Sequence, residues 1–171
     1  MVRVFWLMSL LCLPGLASAV SFGVSTAMGS ASISNVDGYG SASYFRLDGR
    51  IHPIPPLAIH LFITEYEDFR HSGEEHRVAI GIRGQGVGVS GRWPLHRHVV
   101  PYARLDYLRW QAKARGLGRT LARDDGNSLG LTAGAHFPIR RHFGLYAELS
   151  GFNDVSGADL RQHSIGVMFS F

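Results

Sequence analysis

From Leu57 to Thr64 the chain alternates strictly: Leu57, Ile59, Leu61 and Ile63 stand on one side, Ala58, His60, Phe62 and Thr64 on the other. A repeat of two places successive side chains on opposite faces of a β-strand. The same repeat predicts strands over Val20–Gly29 (Phe22, Val24, Thr26, Met28 on the apolar side) and Tyr39–His52 (Phe45, Leu47, Gly49, Ile51). It returns at Pro101–Tyr107 (Pro101, Ala103, Leu105, Tyr107), Leu129–Phe137 (Leu129, Leu131, Ala133, Ala135, Phe137), Phe143–Ser150 (Phe143, Leu145, Ala147, Leu149) and Arg161–Phe171 (His163, Ile165, Val167, Phe169, Phe171). One further strand, Val78–Trp93, breaks the rule. Val78, Ile80 and Ile82 alternate with Arg77, Ala79, Gly81 and Arg83, but the parity carried forward leaves only glycines, Ser90 and Arg92 on the apolar side. A bulge within Gly84-Gln85-Gly86 would return Val87, Val89 and Trp93 to that side, and glycine in a strand often marks a bulge.

The faces opposite the apolar ones carry charge: Tyr44, Arg46, Asp48, Arg50 and His52 on one strand, Tyr102, Arg104 and Asp106 on another, Glu148 on a third. A secreted barrel with a dry interior and wet exterior would bury this set without enough partners. The opposite arrangement, apolar residues towards lipid and polar ones inward, is the pattern of a transmembrane barrel. The connections alternate in length. PIPP, PLHRH and PIRRH are short, while the stretches centred on residues 34, 71, 118 and 156 are longer, with Trp110–Asn127 the longest and most basic. The expected fold is therefore all-β: an eight-stranded antiparallel up-and-down transmembrane barrel, short turns at the end holding both termini. Phe22, Trp93, Phe137, Phe143 and Phe171 would form a lower aromatic girdle, and Tyr39, Tyr66, Tyr107, Trp110 and Phe152 an upper one.

Residues 1–19 have the three parts of a secretory signal: Arg3, the apolar Val4–Leu13, and Ala17-Ser18-Ala19 before the expected cleavage point. That apolar run is too short for a helical span, which needs about 20 residues. Cleavage after Ala19 removes the single cysteine, Cys12, and leaves residues 20–171 as one barrel domain. A formal net charge of +4 is too small for a nucleic-acid footprint.

The last strand, RQHSIGVMFSF, resembles the C-terminal assembly signature of bacterial outer-membrane barrels, with Ser164, Gly166, Phe169 and Phe171 in its places. Pro101–Phe171 resembles the second half of the transmembrane domain of outer-membrane protein A, through PYARLDYLRWQAK, DDGNSLGLTAGAHF and GLYAELSGFND. The resemblance implies a bacterial outer-membrane location, contact with outer-membrane lipids and lipopolysaccharide, and engagement of the barrel-assembly machinery during biogenesis. It brings no peptidoglycan-binding domain, and its family includes structural barrels, adhesins and serum-resistance factors.

Three groups of residues are candidates for function. Arg46, Asp48, Arg50, Arg83, Arg104, Asp106 and Glu148 are expected to meet in a narrow lumen as a salt-bridged plug, a gated pore being the alternative. Lys113, Arg115, Arg119 and Arg123 are expected to contact lipopolysaccharide phosphates or host or surface polyanions. His52, His96, His98 and His142 sit in turns and are read as interfacial polar residues, so no metal and no cofactor are expected. A lipid A-modifying enzyme is the competing class. His163 and Ser164 are adjacent and point to opposite faces, no His-x-Ser pattern occurs, and His136 and Glu148 face away from lipid, so no catalytic residue is assigned. The expectation is a monomeric structural or surface-adhesive barrel, its specific role carried by the outer loops.

Overall fold

The computed structural model describes residues 20–35, 38–70, 79–116 and 119–171. The predicted signal segment, most of the second outer connection, with Glu74 and Glu75, and the strand start at Val78 lie outside the described residues. The strands are β1 (Ser21–Ser34), β2 (Ala42–Ile54), β3 (Leu57–Tyr66), the two-residue β4 (Phe69–Arg70), β5 (Ala79–Arg92), β6 (Val100–Gly116), β7 (Arg119–Arg140), β8 (Phe143–Val155) and β9 (Ala158–Ser170). Eight long strands pair antiparallel with their sequence neighbours, β1 pairs with β9, and β3 pairs with β5, so the sheet closes. Phe22 and Phe171 exchange backbone hydrogen bonds at the seam (2.8 and 3.3 Å). Closure leaves no long open edge within the barrel wall, the condition for strands to cross a bilayer.

Each strand carries an outward apolar band that ends at one identifiable residue. Met28, Phe45, Ile63, Val87, Tyr107, Leu129, Leu149 and Ile165 are all exposed large hydrophobics. The next outward residue towards the far end is Ser30, Ser43, Glu65, Gln85, Arg109, Asn127, Gly151 or His163. Beyond that boundary the strands continue into water, and the pattern inverts: inward residues become apolar, outward ones polar. Ala31, Tyr44, Tyr66, Phe69, Ile82, Leu108, Trp110, Ala112, Phe152, Val155 and Leu160 pack there with Ala42 and Phe62 into one buried cluster.

That inversion corrects several expectations. The bulge at Gly84–Gly86 does not form; β5 keeps unbroken register with β3 and β6. Ile80 and Ile82 point inward, into the apolar cluster, and Arg83 points outward. The glycines of β5 make room instead: a Cβ at Gly84, Gly86 or Gly88 would meet Leu108, Phe62 or Asp106 within about 2.5 Å. Tyr66, Trp110 and Phe152 are buried inside, Tyr39 packs against the same cluster, and of the expected upper girdle only Tyr107 faces outward. The lower aromatics Phe22, Trp93, Phe137 and Phe171 are exposed, and Phe143 packs on Phe169 with ring centroids 5.2 Å apart.

The described parts of the first, third and fourth outer connections continue the strands, where their polar composition suggested loops. β1 runs on to Ser34, and Trp110–Asn127 is mostly a hairpin, Trp110 opposite Gly126 and Lys113 opposite Arg123. The stretch Asn153–Leu160 closes with a two-residue turn in which Ser156 and Gly157 both have positive φ (57° and 80°). Such a turn matches the twist of the paired strands. At the other end β2 extends through Pro53 to Ile54, and His52 is buried within the strand, not in a turn.

Candidate functional site: the lumen and the basic hairpin

Below the apolar cluster the lumen is charged. Asp48 lies on the inward face of β2 because its neighbours Leu47 and Gly49 take the outward positions. It accepts from His60 Nδ1 (3.0 Å) and lies 3.4 Å from Arg46 and 3.6 Å from Arg50. His60 Nε2 in turn meets Ser90 Oγ at 2.8 Å. On the opposite wall Arg104 donates from Nε to Asp106 Oδ2 (2.9 Å) and from Nη1 to Glu148 Oε1 (2.9 Å). Tyr102 donates its hydroxyl to the same Glu148 oxygen at 2.5 Å, and the Thr132 hydroxyl bridges Asp106 (3.1 Å) and Ser150 (2.9 Å). Arg46 Nη2, 3.6 Å from Asp106 Oδ1, joins the two halves. Its guanidinium also lies 3.6 Å above the Phe62 ring centroid, where a desolvated cation is attracted by the ring face. Arg104 and Asp106 are at most 2% exposed. Charges this deeply withdrawn from water persist because each faces opposite charge and further hydrogen bonds.

Arg46, Asp48, Arg50, Arg104, Asp106 and Glu148 therefore come together, and Arg83 does not. Arg83 is paired with Glu65 at 2.6 Å on the outer surface, both side chains well exposed. His60, Ser90, Tyr102 and Thr132 were not singled out as members of the network. Their even positions on strands whose odd positions are aliphatic carried the signal, and for His60 the alternation of Leu57–Thr64 already named the inward face. Glu148 is engaged by Tyr102 and Arg104, and makes no hydrogen bond to His136. Among the described residues no group of three or more His, Cys, Asp or Glu is placed to hold a metal ion.

The basic residues of the third connection lie on the β6–β7 hairpin. Arg115, Arg119 and Arg123 are exposed and Lys113 is half-buried. Lys113 stands directly opposite Arg123, and none of the four, nor Arg109 below them, has an ion-pair partner among the described residues. Ser164, Gly166, Phe169 and Phe171 sit on β9 at the seam. Ser164 is buried, Gly166 lies under the Tyr146 ring where a Cβ would come within 2.5 Å of Cζ, and Phe171 is 76% exposed.

A closed barrel with a lipid-facing apolar band, a charged lumen and strands reaching past the far interface defines a small integral outer-membrane barrel. The model of the outer membrane protein beta-barrel domain matches residues 4–171, and the chain belongs to that family. Its location is the bacterial outer membrane. No curated protein sequence matches it. Among solved structures it is similar to neisserial surface protein A (TM-score 0.68, 17% identity, covering 89% of this chain and 97% of that one). It is also similar to the N-terminal barrel domain of Pseudomonas aeruginosa OprF (TM-score 0.64, 12% identity, 87% and 97%). A third is Ail, the attachment invasion locus protein of Yersinia pestis, in complex with the heparin analogue sucrose octasulfate (TM-score 0.60, 16% identity, 89% and 97%). At these identities the likeness is one of fold.

Proposed function

We propose that this outer-membrane barrel is a closed, non-catalytic scaffold whose surface role is contact with polyanions through the β6–β7 hairpin. The observation that carries the reading is Lys113 opposite Arg123, with Arg109, Arg115 and Arg119 nearby and no carboxylate among the described residues paired to any of them. Like charges directly opposite each other on a sheet are destabilising, so the arrangement gains from an external anion. Arg109 lies two residues beyond Tyr107 and Lys113 six, about 7 and 20 Å along the strand at ~3.4 Å per residue. The first reaches the headgroup phosphates of the outer leaflet; the others stand above them, where lipopolysaccharide core phosphates or a sulfated polymer would meet them. That the structurally similar Ail is seen with a heparin analogue is in keeping with this reading.

Replacing Lys113, Arg115, Arg119 and Arg123 by Gln leaves the barrel wall intact. The parent is expected to bind lipopolysaccharide or a heparin-like polymer with an affinity that falls with added salt, and the variant to lose most of it. Equal, salt-insensitive behaviour of the two proteins at low ionic strength sinks the reading and leaves a purely structural barrel.

The lumen arrangement bears on the competing class. Ser90, His60 and Asp48 are joined in the order of a nucleophile, base and orienting carboxylate, but all three are at most 3% exposed inside a filled barrel. That burial argues against acyl transfer at Ser90 and favours a structural role for the three hydrogen-bonded residues. Incubating the folded protein with a fluorophosphonate probe should leave Ser90 unlabelled; stoichiometric labelling that is lost in Ser90→Ala would restore an enzymatic reading.

A further inference from the structure

The charges of the lumen do not balance. Among the described residues four arginines, Arg46, Arg50, Arg92 and Arg104, occupy inward positions with three carboxylates, Asp48, Asp106 and Glu148. Arg46 and Arg104 each contact two carboxylates, and Arg50 reaches Asp48 at 3.6 Å. Arg92, at the short-turn end of β5, has no ion-pair partner among the described residues. The excess is local. Tyr102 stands opposite both Arg92 and Gly134, the latter two residues from His136, and only β3 separates β5 from Arg50 and His52 on β2, so the four inward basic side chains face the same, periplasmic end of the lumen. The same end holds unpartnered polar nitrogens. Among buried polar atoms without a partner are His52 Nδ1, His136 Nε2 and Arg50 Nε, and His52 is only 5% exposed. Buried polar groups are almost always hydrogen-bonded, and three orphaned nitrogens at the end that holds Arg92 are not explained by the network above them. Arg92 and His136 are half-exposed, which leaves this end open to water.

We infer that Arg50, His52, Arg92 and His136 form a binding site for a phosphate-class oxyanion at the periplasmic mouth of the barrel. A tetrahedral oxyanion offers several acceptor oxygens to donors that face the lumen from β2, β5 and β7. Arg92 supplies the charge that no carboxylate among the described residues pairs with, and the His52 and His136 rings supply N–H donors through the tautomer that faces the anion. The site is on the opposite side of the charged layer from the basic hairpin and does not depend on the role given to it. The phosphate group can come from free phosphate or from an anionic phospholipid of the inner leaflet.

The test reads the imidazole proton–nitrogen NMR signals of His52 and His136 in the folded full-length barrel, in phosphate-free maltoside micelles. Titration with inorganic phosphate should shift both signals saturably, and Arg92→Gln should weaken the apparent affinity at least tenfold. A second arm compares nanodiscs of phosphatidylcholine with nanodiscs containing phosphatidylglycerol, without free phosphate. Signals already displaced in the phosphatidylglycerol discs, and insensitive to added phosphate, assign the site to a lipid phosphodiester; displacement by inorganic phosphate alone assigns it to the free ion. His136→Gln, at a half-exposed position, provides a second variant and should weaken the response of His52. Shifts that rise without saturating, that are equal in parent and variants, or that fail to appear in either arm overturn the inference.

Discussion

On β6, Arg104 and Asp106 are followed on the same inward face by Leu108 and Trp110; on β8, Glu148 is followed, after Ser150, by Phe152. One wall thus lines two interiors. In the membrane-level half, side chains are held by ion pairs and hydrogen bonds that each need a specific partner. In the outer half they are held as in a water-soluble β-protein, by packing of Tyr44, Tyr66, Phe69, Trp110, Phe152 and Leu160. The difference follows from what surrounds the wall. Where lipid lies outside, aliphatic residues are spent on the outer face and the inner face takes the polar ones. Where water lies outside, the usual hydrophobic drive acts inward again. The two halves should therefore fail differently when broken.

The largest effect is expected at Glu148. Replacing it by Ala leaves Arg104 with Asp106 alone and strips Tyr102 of its acceptor, and breaking a buried pair from one side costs about 3–5 kcal/mol. Urea unfolding of the refolded barrel in detergent measures it. If the cost is that of an orphaned charge, Arg104→Met combined with Glu148→Leu should be less damaging than Glu148→Ala by itself. A double variant no more stable than Glu148→Ala would mean that the pair is favourable in its own right.

In the apolar half, Phe152 is 1% exposed and lies over Gly130, where a Cβ would come within 2.4 Å of its ring. Phe152→Ala should cost about 3 kcal/mol through lost burial and the cavity left behind. Here a second substitution offers no rescue of the ionic kind; only refilling the space does. Phe152→Leu should recover more than half of the loss in the same titration, and equal values for Ala and Leu would show that the site is not packed as described. Trp110→Phe is the milder probe of this half. It keeps most of the buried area and removes the Nε1 hydrogen bond to Ser128 Oγ, which in turn donates to the Asp154 carbonyl. About 1 kcal/mol is expected, the usual net worth of one hydrogen bond.

The membrane-level half was legible in the sequence because lipid on one face and a crowded polar lumen on the other impose opposite compositions on alternate residues. Leu57–Thr64 and Phe143–Ser150 could be placed on their correct faces without any structure. The outer half was not legible by the same rule. Ile80 and Ile82 look lipid-facing when parity is read as fixed in meaning, and only the change of surroundings along one strand makes them core. The sign of that change is visible in β6. Apolar residues fall on Leu105 and Tyr107, then move to Leu108, Trp110 and Ala112, while Arg109, Gln111 and Lys113 take the other side. A shift of hydrophobicity from odd to even positions without an intervening breaker marks a strand leaving the bilayer. The His60 and Ser90 contacts were out of reach for another reason: they depend on the register between β3 and β5, which places His60 opposite Gly88 and its ring beside Ser90.

The smallest effect is expected at Arg83, and it decides how β5 is read. With a bulge in Gly84–Gly86, Arg83 would belong to the buried network, and its loss would strand a carboxylate at a cost of several kcal/mol. In unbroken register it faces outward, where its contact with Glu65 is well solvated. An exposed pair of this kind contributes roughly 0–1 kcal/mol, because solvent screens the attraction and two long side chains lose freedom to make it. Arg83→Ala should therefore leave the urea midpoint nearly unchanged, and whatever small loss it shows should disappear at high salt. Glu65→Ala should behave in the same way, and the two together should lose no more than either one. A loss at Arg83 comparable to that at Glu148, or one that persists in high salt, would put the side chain back in the lumen and restore the bulge. The outer half of β5 would then have to be rebuilt with Ile80 and Ile82 on the outside, and the boundary between the two interiors would move with them.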